Sequence, residues 1–551
     1  MTLQQRLHRF FNSITPTSDS RFYAPTRIQI IAWGVVLAVS LLLSVAGYDS
    51  FQLGTYQDDS SYAVLAQSLV RSDQYALVNT PNEPIATRYP FGYPLLLAPF
   101  VILFPDKPDT MKILSLIATL MNCTLLFWGW RWFSRGTSYW WGIAIVALYA
   151  LSPLTVGQTR MVMSEPVFTT FCLSVLLLAE RRATSELNSR LVFITLMSIG
   201  LFFAIFTRTI GLVLMITVFG YLLATKRTKI WKEILLIVIV MICLVILVIT
   251  LTPVKVSDLF PSEYMNQFTS PSSWRQTNIE TSLASRFLGS VIEYFREHIR
   301  QTVLPLGGGQ SEQAFAQRLG IPALPILLGF LISGIVILGL VSWFVKEGIS
   351  VFPIFAVLYF GFVVMWPWRG SRFLYPIQPQ LFLGFLLGTS TILLGASRLL
   401  NRNALFLSST KTAIAVVVFA LIAVSVYKSL YIDNSRIHVG DLQARSSWLE
   451  SNAPPSAIVM TEEPQTDFLY SHKKTVSYGA FSSMSELEHY LNRNNVDFIL
   501  IAPQLKWQTS YVPAYSDRTI RLLSLLENYP NRVELVYASE RDWVKVFRVE
   551  R

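Results

Sequence analysis

Hydrophobic residues in this 551-residue chain come in long blocks near residues 28–47, 111–133, 139–156, 166–179, 191–206, 210–224, 234–252, 322–345, 350–366, 373–396 and 411–429. A helix needs about 20 residues to cross a ~30 Å hydrocarbon core, so these blocks predict a polytopic α-helical membrane protein of about eleven spans, several of them with soft boundaries. One further run, RYPFGYPLLLAPFVILF at 88–104, is apolar but carries Pro90, Gly92, Pro94 and Pro99. Breakers at that density predict a juxtamembrane element that dips into the bilayer without crossing it.

From about residue 430 the pattern changes. The runs SAIVMTEE, KTVSYG, VDFILIAP, VELVYAS and VKVFRV alternate with polar helical stretches such as SSMSELEHYLNRNN. Such alternation predicts a small soluble α/β domain of about 120 residues over 430–551. No internal repeat is present, and no low-complexity linker separates this tail from the last span.

Composition agrees with a membrane location: 52% of residues are hydrophobic and 14% charged, against about 25% charged in soluble chains. The net charge of +11 is divided among short clusters between apolar blocks, which suits loops facing a cytoplasmic leaflet and argues against nucleic acid. Cys123, Cys172 and Cys243 all lie in apolar runs, read as small core hydrophobes, and have no metal-ligand spacing. The block 28–47 is long enough to span, with no small-residue cleavage site after a shorter run, so it is expected to stay as an anchor.

Charge bias sets the orientation. With 88–104 not crossing and the tail 1–27 cytoplasmic, about 17 basic residues fall in inside pieces and about four in short outside loops, as the positive-inside rule expects. The first loop (48–110), the long loop (253–321) and the C-terminal domain then lie on the extracytoplasmic side. The same face receives Asp58 and Asp59, the junction at Glu165, the turn at Arg208 and the turn WPWRGSR at 366–372.

Each of these residues has a purely structural reading. Asp58 and Asp59 precede an amphipathic run with Tyr62, Leu65, Ala66 and Leu69 at helical spacing, so either carboxylate suits an N-cap as well as chemistry. Glu165 stands before Pro166, where a carboxylate complements a helix dipole. Arg208 joins two short apolar runs near headgroup depth, where a guanidinium either snorkels to lipid phosphate or meets an anionic partner. Trp366 and Trp368 suit an interfacial belt, and Arg369 and Arg372 either anchor a helix end or hold a phosphate. In the long loop, Leu283, Phe287, Phe295 and Ile299 form an apolar stripe that predicts an amphipathic helix lying on the membrane. Gly307–Gly309 ends it without a following Lys-Ser/Thr and is no P-loop. His298, on that helix, and Glu462, Glu463 and His472, in the tail, read as surface residues.

QDDSSYAVLAQSL resembles the acidic first-loop motif of GT-C membrane glycosyltransferases, the superfamily of protein O-mannosyltransferases and bacterial aminoarabinose transferases. RYPFGYPLLLAPF is similar to their Pro-Pro-Gly-Tyr-Pro element, MSEP to their second acidic position, TRTIGL to their Thr-Arg-x-x-Gly turn, and RFLYPIQPQL to their Arg-Tyr-x-x-Pro helix. Phe91 replaces the second proline, Asp59 stands where Glu is common, and Phe373 replaces the tyrosine after Arg372.

The resemblance, which covers most of 28–396, implies transfer of a sugar from a polyprenyl-phosphate donor to an acceptor hydroxyl (on protein, lipid or glycan), usually with inversion. It takes place on the extracytoplasmic face of the bilayer, here a bacterial inner membrane. It implies Asp58 as base and Asp59 as a second catalytic carboxylate, with Asp59 or Glu165 positioning the acceptor. Arg208, Arg369 and Arg372 are implied for the donor phosphate, and Tyr62, Arg88, Tyr89 and Glu165 for the acceptor. A divalent cation at Asp59 or Glu165 occurs in some relatives, whereas no cofactor is required by the motifs themselves. The rival classes are a transporter or lipid flippase and a non-catalytic polysaccharide-assembly protein. A transporter favours ionisable residues at mid-bilayer on broken helices and related halves of sequence, unlike this one-sided cluster.

Overall fold

The computed structural model describes residues 24–54, 58–134, 138–184, 189–226, 230–259, 262–263, 266, 283–305, 316–347, 350–399, 405–431, 436–503, 515–528, 532–539 and 543–550. Most of the N-terminal tail, the side chain of Leu283 and Gly307–Gly309 lie outside the described residues.

Among the described residues, seven helices are long and apolar enough to cross a membrane: Arg27–Ala46, Pro108–Trp128, Arg190–Thr207, Trp231–Leu251, Leu324–Val345, Ser371–Ala396 and Thr412–Leu430. The first begins with Thr26 and Gln29 in a reciprocal capping box, which satisfies two N–H groups that water cannot reach further in. Trp231–Leu251 is the most apolar and among the least buried, with 11% of its window inside the protein, as a lipid-facing helix must be. A bent pair, Tyr139–Ala150 and Pro153–Thr159, meets at 59° and makes an eighth span when the two halves are counted as one. The bend follows from Ser152, which caps Thr155 N–H, and from Pro153 at the first helical position. The blocks at 166–179, 210–224 and 350–366 form the helices Ser164–Ala183, Gly211–Lys226 and Val351–Met365. The run 88–104 forms Gly92–Leu103, twelve residues and so about 18 Å, short of a bilayer core.

Close helix packing comes from small residues. Leu324–Glu347 lies against Gln378–Leu399 so tightly that a Cβ on Gly339 would overlap the carbonyl of Gly384, and one on Gly388 that of Ile335. Two helices in lipid gain little from apolar burial alone, so backbone approach at glycine supplies the contact.

The C-terminal runs form five strands, β1 (Ile458–Thr461), β2 (Lys474–Ser477), β3 (Phe498–Ile501), β4 (Val533–Ala538) and β5 (Lys545–Val549), in the order β2-β1-β3-β5-β4. β1 pairs in parallel with β2 and β3, and β5 pairs antiparallel with β3 and β4. Alternate residues face two layers. Met460, Ile499 and Ile501 pack with Leu487, Leu491, Leu522 and Leu526, while Val459, Phe498 and Leu500 pack with Leu449 and Ala453.

This sheet is tied to the first loop. Thr475 N–H donates to the Asn79 carbonyl at 2.7 Å, Asn79 Nδ2 donates to Thr475 Oγ1 at 3.2 Å, and Tyr470 OH donates to Asp109 Oδ2 at 2.9 Å. Three expectations need correction. Cys243 is exposed on its helix rather than in a core, because Trp231–Leu251 is apolar all round and its outer face meets lipid. His298 is buried, 3.4 Å from Glu293, since the loop helix packs against the Leu324–Glu347 span. Glu463 is also buried, and Glu462 accepts hydrogen bonds from Thr519 at 2.8 Å and Tyr478 at 3.4 Å.

Candidate active site

Asp58 opens the helix Asp58–Arg71, placing both acidic residues in the first turn, where the helix dipole favours negative charge. Their side chains have different surroundings. Asp59 is fully buried and accepts Gly54 N–H at 3.1 Å on Oδ2 and Ser60 N–H at 2.9 Å on Oδ1. Burial pushes its carboxyl from the ordinary 3.8 up to about 7, against the lowering effect of those two N–H groups.

Asp58 instead faces cations. Oδ2 accepts from Arg372 Nη2 at 2.8 Å, Oδ1 accepts from Tyr89 OH at 2.6 Å, and Arg88 Nη2 lies 3.6 Å from Oδ1. Burial would raise the Asp58 pKa, but the charges of Arg372 and Arg88 and the Tyr89 hydrogen bond outweigh it and hold the carboxyl below its ordinary value. It is therefore ionised at neutral pH.

A second pair stands opposite. Glu165, in the first turn of Ser164–Ala183, lies 2.7 Å from Arg208 Nη1. The same nitrogen donates to Ser164 Oγ at 3.2 Å, and that hydroxyl is 3.2 Å from Tyr62 OH. Gly92 makes this closeness possible: a Cβ there would strike the Phe206 backbone, two residues before Arg208. Arg372 and Arg208 both lie over the Phe373 ring, at 5.0 and 6.0 Å from its centroid.

Asp58, Tyr62, Arg88, Tyr89, Glu165, Arg208 and Arg372 line one cavity of about 70 Å³, walled on its apolar side by Phe362, Val363, Trp366 and Trp368. Asp59 and Arg369 do not line it. Asp59 is committed to backbone N–H groups. The Arg369 guanidinium pairs with Glu293, and its Nε donates to Ser290 Oγ at 3.0 Å. Two residues of the neighbourhood carry little or no signal in the sequence: Ser164, marked only by its place just before Glu165, and Glu293, which holds Arg369.

Both oxygens of Asp58 face N–H or O–H donors, as do both of Asp59, whereas Glu165 turns Oε1 to Arg208 and leaves Oε2 buried without a hydrogen-bond partner. Among the described residues, no three His, Cys, Asp or Glu gather to hold a metal.

No protein-family model and no curated protein sequence matches the chain. Solved structures do. ArnT from Cupriavidus metallidurans bound to undecaprenyl phosphate superposes with a TM-score of 0.51 at 12% identity, over 93% of this chain and 97% of that one. The archaeal oligosaccharyltransferase AglB from Archaeoglobus fulgidus, in complex with an inhibitory peptide and a dolichol-phosphate, superposes at 0.53 and 10% identity, over 86% and 70%. This chain accordingly is a polytopic helical membrane protein with the fold that these structures share.

Proposed function

We propose that the chain is a membrane glycosyltransferase that moves a sugar from a polyprenyl-phosphate donor to an acceptor hydroxyl on the extracytoplasmic face of a bacterial inner membrane. The observation that carries this reading is the meeting of Asp58, Arg372, Arg208 and Glu165 in one cavity at the ends of the spans. The solved structures with this fold are described with undecaprenyl phosphate and with dolichol-phosphate, which supports a lipid-linked donor here.

The chemistry follows from the residues. The acceptor O–H gives its proton to Asp58 as its oxygen bonds to the anomeric carbon. The bond from that carbon to the phosphate oxygen breaks, and its electron pair leaves on the lipid phosphate. Arg372 and Arg208 stabilise the charge that collects there. A single displacement of this kind inverts the anomeric centre. Tyr89 donates to one Asp58 oxygen and orients the carboxylate, while the wall of Trp366, Trp368 and Phe362 offers an apolar path for the prenyl chain.

Donor phosphate and Asp58 compete for Arg372. A phosphate that draws the guanidinium away removes the largest influence lowering the Asp58 pKa, so the base strengthens as the donor binds. Turnover tests the reading: purified chain in liposomes with radiolabelled polyprenyl-phosphate sugars and an envelope extract as acceptor. Label leaving the lipid in wild type and staying on it in Asp58→Asn supports the proposal, whereas equal transfer by both removes it.

A further inference from the structure

A second cavity, of about 740 Å³, lies between the Asp58–Arg71 helix and the C-terminal sheet, within the ~300–1,000 Å³ of small-molecule sites. It meets the first cavity at Arg88, which lines both and reaches to 3.6 Å of Asp58. Ser60 and Ser61, in the first turn of the helix that Asp58 opens, line it from the first loop. Glu462, Gln465 and Asp517 are contributed from the other side by the C-terminal part. The Thr475–Asn79 and Tyr470–Asp109 hydrogen bonds hold the two sides together, so the cavity is preformed.

From this continuity we infer that the second cavity is the acceptor site and that it takes a neutral saccharide, one hydroxyl of which reaches Asp58 past Arg88. The inference rests on the glycosyltransferase reading above. Its lining is mainly hydroxyl, amide and carboxylate groups, with Pro464, Tyr515 and the guanidinium groups of Arg88 and Arg518 as the exceptions. Sugar hydroxyls each give and take a hydrogen bond, so a ring presenting several of them matches carboxylate acceptors and amide or hydroxyl donors at once. A peptide acceptor brings apolar side chains for which this lining has little apolar surface. An anionic glycan meets more carboxylates, at Glu462, Glu463 and Asp517, than guanidinium groups, at Arg88 and Arg518. A lipid tail is excluded by the same polarity.

Saturation-transfer NMR on the full-length chain in nanodiscs tests this. The probes are maltotriose, cellotriose and triacetylchitotriose, with Ser/Thr- and Asn-containing hexapeptides as the rival class and undecaprenyl phosphate as the donor-site control. Gln465→Ala/Asp517→Ala alters two lining side chains that are half-buried and exposed, outside the proposed catalytic cavity. At least one trisaccharide is expected to bind wild type and to lose affinity by about tenfold or more in the double variant, as loss of charged hydrogen bonds implies. Undecaprenyl phosphate affinity is expected to stay within about twofold. No trisaccharide binding, equal binding to both proteins, or binding by the peptides instead overturns the inference. Failure of undecaprenyl phosphate to bind wild type removes the donor reading separately, and the trisaccharide arm still decides the cavity.

Discussion

Arg372 Nη2 stands 2.8 Å from Asp58 Oδ2, across 314 residues of sequence, and joins the start of one span to the first turn of the first-loop helix. The pairing keeps Asp58 ionised below the ordinary carboxylate range. In the proposed mechanism the ionised form is the base, so the acid limb of kcat/KM, which reports the free enzyme, is expected below the ordinary carboxylate range. In Arg372→Met the limb moves upward, because the cation that favoured the charged carboxylate is gone. A pH–rate profile of donor turnover for both proteins measures the displacement.

Asp58→Asn separates chemistry from binding. It removes the proposed base and releases Arg372. Turnover is expected to fall by about 10²–10⁴, while undecaprenyl phosphate binds with unchanged or tighter affinity. Parallel measurements of turnover and of lipid-phosphate binding check both halves.

The Glu165–Arg208 pair is almost fully buried on the Glu165 side. Arg208→Gln leaves a buried carboxylate without its cation, which costs roughly 3–5 kcal/mol of stability. Glu165→Gln/Arg208→Gln removes both charges and is expected to recover much of that stability without recovering turnover. Thermal unfolding in nanodiscs, set beside turnover, distinguishes a structural pair from one that also serves the donor phosphate.

Asp59 predicts a pH-dependent stability of opposite sign to Asp58. Its pKa rises from 3.8 to about 7 on folding, so its contribution is full below about 4 and is lost as pH rises through about 7. Asp59→Asn does not ionise. The melting-temperature difference, variant minus wild type, therefore grows between pH 4 and 7 and is flat above, and the underlying stability difference is bounded at about 4 kcal/mol by the pKa displacement.

Much of the site was legible because its chemistry sits in short local motifs. Asp58, Tyr89, Glu165, Arg208 and Arg372 each stand in a run whose polarity conflicts with the apolar blocks around it, and the topology expected from charge bias assigned them to one face. Side-chain direction was not legible. Asp58 and Asp59 are adjacent and alike in sequence, and only the neighbouring backbone shows that Asp59 faces Gly54 and Ser60. Arg369 and Arg372 likewise differ through a partner, Glu293, supplied by a loop helix 76 residues away. Alternation of apolar positions located the strands, whereas the sheet order depends on long-range pairing that local pattern does not carry.

The most direct measurement of the central claim is a structure of the full-length chain with undecaprenyl phosphate bound. The phosphate is expected in the cavity, with its oxygens about 3 Å from the guanidinium groups of Arg208 and Arg372 and the Arg372–Asp58 contact opened. A phosphate seated elsewhere, with that contact intact, would contradict that claim.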